Sequence, residues 1–486
     1  MSGWQRLSPR MLLVHPVHEV LRQLPVLIGS VVLGSATGNQ AWPLAVLALT
    51  VAFGLARWFT TTYRIDAENV AIHDGVLRRR LITLPRNRIR SVQTDARLLH
   101  RLLGLTVLRL GTGHDAIGQP KFELDAVESA QVPQLRATLL AEWLPPRDDE
   151  SREPAGRVLA RWQPSWLWYS PLSFSGLVMI AAASGVAYQS GLAVALQHSA
   201  AARSGAEVVH RFGVAVAVVV VALVLVLVSV LLSVLISLVT WGNLVLRRDA
   251  DVLHLRHGLL RVREHTFDMR KLRGGTLREP LPVRAVRGAR LDAVMTGVRG
   301  EGESSALLPP CPASTAEAVL ADLIENPDPV VGPLRAHGPA AARRRWTRAL
   351  AVPALAGVAL AVPALSVGLP SWVWPVWAAV TACCALLAAD RVRSLGHRAD
   401  DRWLVARTGS LERRRDCIEC AGIIAWTVRQ TLLQRRAGVA TLIAATAAGR
   451  KRYQVLDVPA DAAWMIAATA SQWVAESKWA AAELHR

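Results

Sequence analysis

The chain has 486 residues, 52% of them hydrophobic, and a mean hydropathy of +0.28, which is more apolar than an ordinary soluble protein of that length. A formal net charge of +19 and a pI of about 11.1 point to an anionic partner, a phospholipid surface or nucleic acid. The five cysteines, Cys311, Cys383, Cys384, Cys417 and Cys420, lack the spacing of a secreted disulfide framework, so a reducing compartment is expected.

In chain order, Arg6, Arg10 and Arg22 precede an apolar run that reads as a retained helix, because no small-residue cleavage site leads into a polar mature domain. Residues 23–56, 170–202, 212–246 and 349–389 contain no Asp, Glu, Lys or Arg. A spanning helix needs about 20 apolar residues, so the first and last stretches hold two spans each. They turn at Gly38-Asn39-Gln40 and at Gly368-Leu369-Pro370, and the middle two stretches are joined by residues 200–211. This predicts six transmembrane helices in three pairs. Only Arg203 and Arg211 fall in the hairpin connections, so both termini and the arginine-rich segments are expected on the cytoplasmic side. Trp58, Trp162, Trp166, Trp168, Trp241 and Trp346 fit inner helix ends, and Trp42, Trp372 and Trp374 outer ones.

Each pair is followed by a segment of similar grammar. The first has Tyr63-Arg64-Ile65, a turn at Gly75, Pro85, Ile89 to Val92 and Leu98-Leu99-His100-Arg101-Leu102-Leu103-Gly104-Leu105; the second turns at Gly258 and Gly288, the third at Gly409 and Gly438. The two turn glycines are 29 positions apart in the first and third segments and 30 in the second. Short strand-like runs between turn residues, closed by helical stretches at 131–143, 313–325 and 459–478, predict a small β-barrel or sheet capped by a C-terminal helix, three times over. In the second segment Arg278-Glu279-Pro280-Leu281-Pro282 replaces the Leu-Leu-Gly run, which predicts a distorted barrel. The expected division is 1–59 N-terminal segment and hairpin 1, 60–144 domain 1, 145–169 linker and interfacial segment, 170–242 hairpin 2, 243–326 divergent domain 2, 327–348 a Pro/Arg-rich exposed linker, 349–389 hairpin 3 and 390–486 domain 3.

The motifs of the first segment make the chain resemble the bacterial PH-domain membrane proteins of the YdbS/YdbT type, in which transmembrane pairs alternate with PH-like domains. The resemblance implies three PH-like domains at the plasma membrane, with anionic lipid headgroups or a second membrane protein as the expected partner; that location makes envelope stress or protection the expected process, and without a Gly-rich phosphate loop, nucleophile elbow or HExxH motif no enzymatic role is expected.

The candidate anion-binding residues are Arg78, Arg79, Arg80, Arg86, Arg88 and Arg90 in the first repeat, Arg261 and Arg263 in the second, and Arg413, Arg414 and Arg415 in the third. Juxtamembrane basic residues each contribute about 1 kcal/mol near an anionic leaflet. The competing account makes them a solvated face and topology signals. Cys417 and Cys420 have CxxC spacing without a second pair, which fits two ordinary thiols better than a metal site, and no cofactor is expected. His254 and His257 are three apart on a presumed strand and cannot share a face. Ser229, Ser233 and Ser237 recur every four residues, a stripe suited to close helix contact. A transporter or exporter moving a lipid or peptide is the alternative function, kept by Pro353 and Pro363. Nucleic acid ranks behind both, since no stacking aromatics interleave the basic residues.

Overall fold

Runs of alternating apolar and polar residues broken by Gly, Asn and Asp form antiparallel strands, because each strand can bury one face and the breaks supply its turns. The computed structural model describes residues 4–6, 45, 48, 52, 59–66, 68–74, 80–85, 91–96, 98–111, 122–132, 134–135, 156–173, 175–189, 200–296, 305–366 and 368–477. They divide into two units, 1–270 and 271–486.

In the first unit, β1 (Gln5–Arg6), β2 (Thr62–Ile65), β3 (Asn69–Asp74) and β4 (Arg80–Pro85) make one antiparallel sheet in that order. Then follow β5 (Ser91–Ala96), a short helix α1 (Leu98–Leu102), β6 (Leu105–Gly111) and β7 (Phe122–Glu128). Tyr63, Val70, Ile72, Leu84, Leu105, Leu108, Leu110 and Leu124 form the buried core of this repeat. Next come β8 (Arg157–Arg161), α2 (Ser175–Gln189), α3 (Ala200–Trp241), β9 (Val245–Asp249), β10 (Val252–His257) and β11 (Val262–Asp268). The strands β5 to β11 build a single sheet ordered β7-β6-β5-β11-β10-β9-β8.

The second unit begins with β12 (Leu272–Pro280), α4 (Leu281–Ala285), β13 (Gly288–Met295), β14 (Ala306–Pro312), α5 (Ala313–Ile324) and α6 (Asp328–Val331). Two long helices, α7 (Gly338–Ser366) and α8 (Val373–Ser394), precede β15 (Gly396–Ala399), β16 (Trp403–Thr408) and β17 (Glu412–Glu419). The chain ends in β18 (Ile423–Arg429), α9 (Leu432–Arg436), β19 (Val439–Thr446), β20 (Arg452–Pro459), α10 (Ala462–Ala470) and α11 (Gln472–Ala475). One sheet runs β14-β13-β12-β17-β16-β15 and the other β18-β19-β20. Leu404, Ile418, Leu442, Tyr453, Val455, Ile466 and Val474 lie in the core of the third repeat.

Several expectations change. The left-handed turn residue of the second repeat is Arg287 (φ 57), not Gly288, which starts β13; Gly104 (φ 68) and Gly438 (φ 66) take the same conformation in the other repeats. The spacing from Gly258 to Arg287 is therefore 29, the same as in the other two repeats. The second repeat is not distorted at Pro280 and Pro282: Pro there sits at the start of α4, where a missing N–H costs nothing, and α4 matches α1 and α9. The 327–348 segment is not an exposed linker. It carries α6 and the first turns of α7, and Arg344 and Arg345 are drawn inward by the buried Asp457.

Among the described residues three helices are long and apolar enough to cross a membrane, Gly213–Trp241, Gly338–Val362 and Val373–Ser394, with the bent pair Pro164–Ser173 and Ser175–Gly185 as a fourth, rather than six. The pair expected within 23–56 lies outside the described residues. The 200–211 connection is helical and merges into α3, broken only at Gly213 (φ 84). The serine stripe is a packing face: Ser233 is fully buried and its hydroxyl accepts a hydrogen bond of 2.8 Å from Gly176 N, where a Cβ would collide with the Ser229 carbonyl. In the third hairpin Trp377 lies over Gly357, and its indole N–H donates to the Pro353 carbonyl at 3.0 Å.

A further regularity was not read from the sequence. Each apolar insertion leaves from and returns to neighbouring backbone: Gln5 pairs with Tyr63 around the first, Arg157 with Arg248 around the second, and Arg335 bridges His397 around the third.

Candidate functional site

Strand β5 of the first repeat is hydrogen-bonded to β11 of the second, and β12 of the second to β17 of the third. The second sheet of one repeat thus continues into the first sheet of the next. Ser91 pairs with Phe267 and Ala96 with Val262; Gly274 pairs with Ile418 and Glu279 with Arg413. Counted from the left-handed residues Gly104 and Arg287 and the turn glycines Gly258 and Gly409, these are the same positions, so the two junctions share one register.

Both junctions hold a buried ion cluster at equivalent positions. At the first, Asp95 is 3% exposed and accepts hydrogen bonds from Arg261 through Nε at 2.6 Å and through Nη2. Arg109 lies 3.4 Å away, and Arg263 is its cross-strand neighbour. Burial alone would raise this carboxyl, but the Arg261 hydrogen bonds and the charges of Arg261, Arg109 and Arg263 outweigh it and hold it below the usual range. At the second junction Arg278 occupies the Asp95 position, Asp292 the Arg109 position and Glu412 the Arg261 position, with Arg278 2.6 Å from Asp292 and 3.5 Å from Glu412. Three charges have changed sign together. Beside them the buried Asp416 accepts from Thr276 Oγ1 at 2.7 Å and pairs with Arg450 at 2.8 Å; burial still pushes its carboxyl up.

Arg261 is therefore engaged by Asp95 rather than turned to lipid. Arg413 pairs with Asp390 at 3.2 Å and Glu279 at 3.7 Å, Arg414 with Glu412 at 2.5 Å, and Arg415 donates to the carbonyls of Pro329 at 3.0 Å and Gly332 at 2.8 Å. Arg80 is on β4; Gly75, Arg78, Arg79, Arg86, Arg88 and Arg90 lie outside the described residues. The turns at Gly258 (φ 104) and Gly409 (φ 99) are as read, each in the left-handed region.

Cys417 Sγ donates to Pro329 O at 3.2 Å and Cys420 Sγ to Asp400 O at 3.5 Å, and burial pushes both thiols up to about 12, so neither is a ready thiolate. Sequence reading missed two buried histidine pairs. His257 stacks on His265 with centroids 5.7 Å apart, and His397 Nδ1 lies 2.9 Å from His337 Nε2 while His337 Nδ1 lies 2.7 Å from Leu456 O. Burial, then the neighbouring His257, lowers His265 to about 3; burial, then His337, lowers His397 to about 4. Because His337 and His397 are far apart in sequence, no local pattern signals the pair.

A family model described as bacterial PH domain matches residues 20–143, 204–326 and 347–472. The chain belongs to the bacterial PH-domain family. Comparison with curated proteins and with solved structures returned no match. Each matched span takes in apolar residues ahead of its PH sheets, and in the third PH repeat the two are joined by charge. Asp457, 1% exposed, pairs with Arg344 at 2.6 Å and Arg345 at 2.7 Å of α7 and accepts from Gln434 at 2.9 Å. The Thr431–Gln434 capping box that starts α9 fixes Gln434 in place. Asp390 of α8 pairs with Arg284 at 2.8 Å, and Arg407 donates to the Ser394 carbonyl at 3.0 Å, satisfying the helix C-terminus.

Proposed function

We propose that this bacterial PH-domain protein is a non-enzymatic integral protein of the plasma membrane whose three PH repeats form a scaffold at the cytoplasmic surface and engage a protein partner there. The observation that carries this reading is the pairing of backbone on both sides of each apolar insertion. A segment that leaves and re-enters the same sheet ends on the side where it began, so its crossings come in pairs, which supports hairpins with both termini inside. The helix Gly213–Trp241 supports immersion, with a mean hydropathy of 3.4 and a row of outward-facing Val and Leu that water would not tolerate. At about 1.5 Å per residue it exceeds a hydrocarbon core of about 30 Å and tilts. A protein partner is favoured over lipid because Arg261, Arg413, Arg414 and Arg415 are engaged within the chain, while backbone edges already join repeat to repeat.

Anionic headgroups are the second reading, resting on Arg78, Arg79, Arg80, Arg86, Arg88 and Arg90 next to the first hairpin. The decisive experiment is labelling of one introduced exposed cysteine, Asp401→Cys with Cys383→Ser and Cys384→Ser, in intact and permeabilised cells. Modification is expected only after permeabilisation; modification from outside intact cells overturns the reading. Reconstitution with phosphatidylglycerol tests the lipid arm, with Arg78→Ala and Arg80→Ala expected to weaken a thermal stabilisation by that lipid.

A further inference from the structure

The first strand of the second sheet of each repeat has a role at a junction in two cases: β5 receives β11 and β12 receives β17. The third such strand is β18, and among the described residues its only neighbour is β19. Among the described residues its outer backbone edge pairs with no strand and its surface is open. Gly275, Thr276 and Leu277 of β12 are buried where their equivalents Trp426, Thr427 and Val428 are half-buried or exposed, and Ile424 is 69% exposed. A long unpaired edge without a covering element is a template for strand addition.

The charges say which strand fits. Nine residues before the left-handed turn residue stand Asp95, Arg278 and, on β18, Arg429; five residues after it stand Arg109, Asp292 and Ile443. Three residues after the turn glycine of the incoming strand stand Arg261 and Glu412 at the two formed junctions. Asp95 meets Arg261, and Arg278 meets Glu412. Arg429 therefore calls for a carboxylate at that third position, the more so because Ile443 supplies none, and no ion pair among the described residues involves Arg429. The β4 strand of a second copy does not provide it. Three residues after Gly75 stands Arg78, and the shared register would set Arg80 across from Arg429, gathering three arginines without an acid. Like charges facing each other across strands are destabilising, and a buried uncompensated charge more so.

We propose that the β18 edge is a docking site for the edge strand of a different PH-like chain, one with Asp or Glu at the position Glu412 holds in β17, and that Arg78 and Arg80 exclude a second copy of this protein. This deepens the scaffold reading above by naming the kind of partner and the edge it uses. The resulting contact would be heterologous, extending the sheet by one repeat from another molecule.

The test uses two differently tagged full-length copies in membranes, both with Cys383→Ser and Cys384→Ser. One carries Thr427→Cys on β18; the other carries Ile82→Cys on β4, its partner in the shared register, with position 78 as Arg or changed to Glu to stand in for the acidic partner. Disulfide between the two tags is expected to rise at least five-fold with Arg78→Glu and to fall back when the first copy also carries Arg429→Glu. Equal yields for Arg and Glu at position 78 would overturn the charge rule and make a second copy the occupant. No cross-link in any combination, with both proteins extracted as folded species, would overturn strand addition at this edge. Either failure leaves the labelling test of the scaffold reading unaffected.

Discussion

The junction in the first unit and the junction in the second use one backbone register and opposite charges. Asp95 with Arg109 and Arg261 at the first becomes Arg278 with Asp292 and Glu412 at the second. Register is set by main-chain hydrogen bonds and by which side chains reach the core, and a one-residue slip would turn Phe267 or Ile418 to the wrong face. Charge is bound only by complementarity inside a poorly solvated cluster. The difference between the junctions thus separates what the fold dictates from what each pair of repeats can choose.

The largest way to break the comparison is to reverse one sign alone. Asp95→Arg would leave four arginines at the first junction without a carboxylate, and a loss of about 3–5 kcal/mol is expected. Chemical denaturation of the full chain in detergent checks it, followed by tryptophan fluorescence. Adding Arg109→Asp and Arg261→Glu to Asp95→Arg installs the signs of the second junction in the first and is expected to recover most of that loss. No recovery would mean that the inverted sets are not equivalent.

Acid sharpens the comparison next, since each unit buries a histidine pair. His397 is lowered from 6.5 to about 4, first by burial and then by His337, with Arg335 adding to the effect. Its folded-state value lies below its unfolded one, so between pH 6.5 and 4 the unfolded chain binds more protons and stability falls as pH falls; above 6.5 this contribution is constant. A loss of about 2–3 kcal/mol across that window is expected for this pair. His397→Gln should flatten the dependence in the second unit and leave the part due to His265 in the first. Thermal melts from pH 7.5 to 4.5 measure both.

Backbone crowding gives a smaller effect confined to the second junction. Gly274 has φ 131, and a Cβ there would run into the Cys417 carbonyl, whereas its equivalent at the first junction is Ser91. Gly274→Ala is expected to cost about 2 kcal/mol, and Ser91→Ala much less than 1. Equal costs at the two sites would show that the junctions are less alike in backbone than their register implies.

Much of this was legible in the residues. Uncharged runs located α3, α7 and α8, the helices long and apolar enough to cross a membrane, and the repeat was visible from the spacing around Gly75, Gly258 and Gly409, of which Gly258 and Gly409 turn at positive φ, where glycine is favoured. The junctions were hidden. Pairing of Ser91 with Phe267 joins residues far apart in sequence, and no local periodicity encodes which edge meets which. Strand β14 was masked by Pro309 and Pro310, which an edge strand tolerates. The basic clusters were misleading for a similar reason: Arg413-Arg414-Arg415 reads as a lipid patch until Asp390, Glu279 and Glu412 are brought beside it by the fold.

The smallest effect expected compares the repeats at one residue. The left-handed position after the short helix is Gly104 in the first repeat and Gly438 in the third, but Arg287 (φ 57) in the second. A side chain there costs about 1 kcal/mol of backbone strain, because Cβ crowds the following carbonyl. Arg287 keeps the conformation since its N–H donates to Arg284 O at 2.9 Å and its carbonyl accepts from Ala313 N at 2.9 Å, while its side chain is exposed and no ion pair among the described residues holds it. Arg287→Gly would remove the strain and add flexibility to the unfolded chain, so the two changes nearly offset. A net gain of about 0.5 kcal/mol is expected, seen as a rise of about 1–2 °C in the melting of the second unit. The converse change, Gly438→Arg, should lower the same transition by a similar amount, and a fall without the matching rise would assign Arg287 a stabilising contact that the two glycine repeats do without.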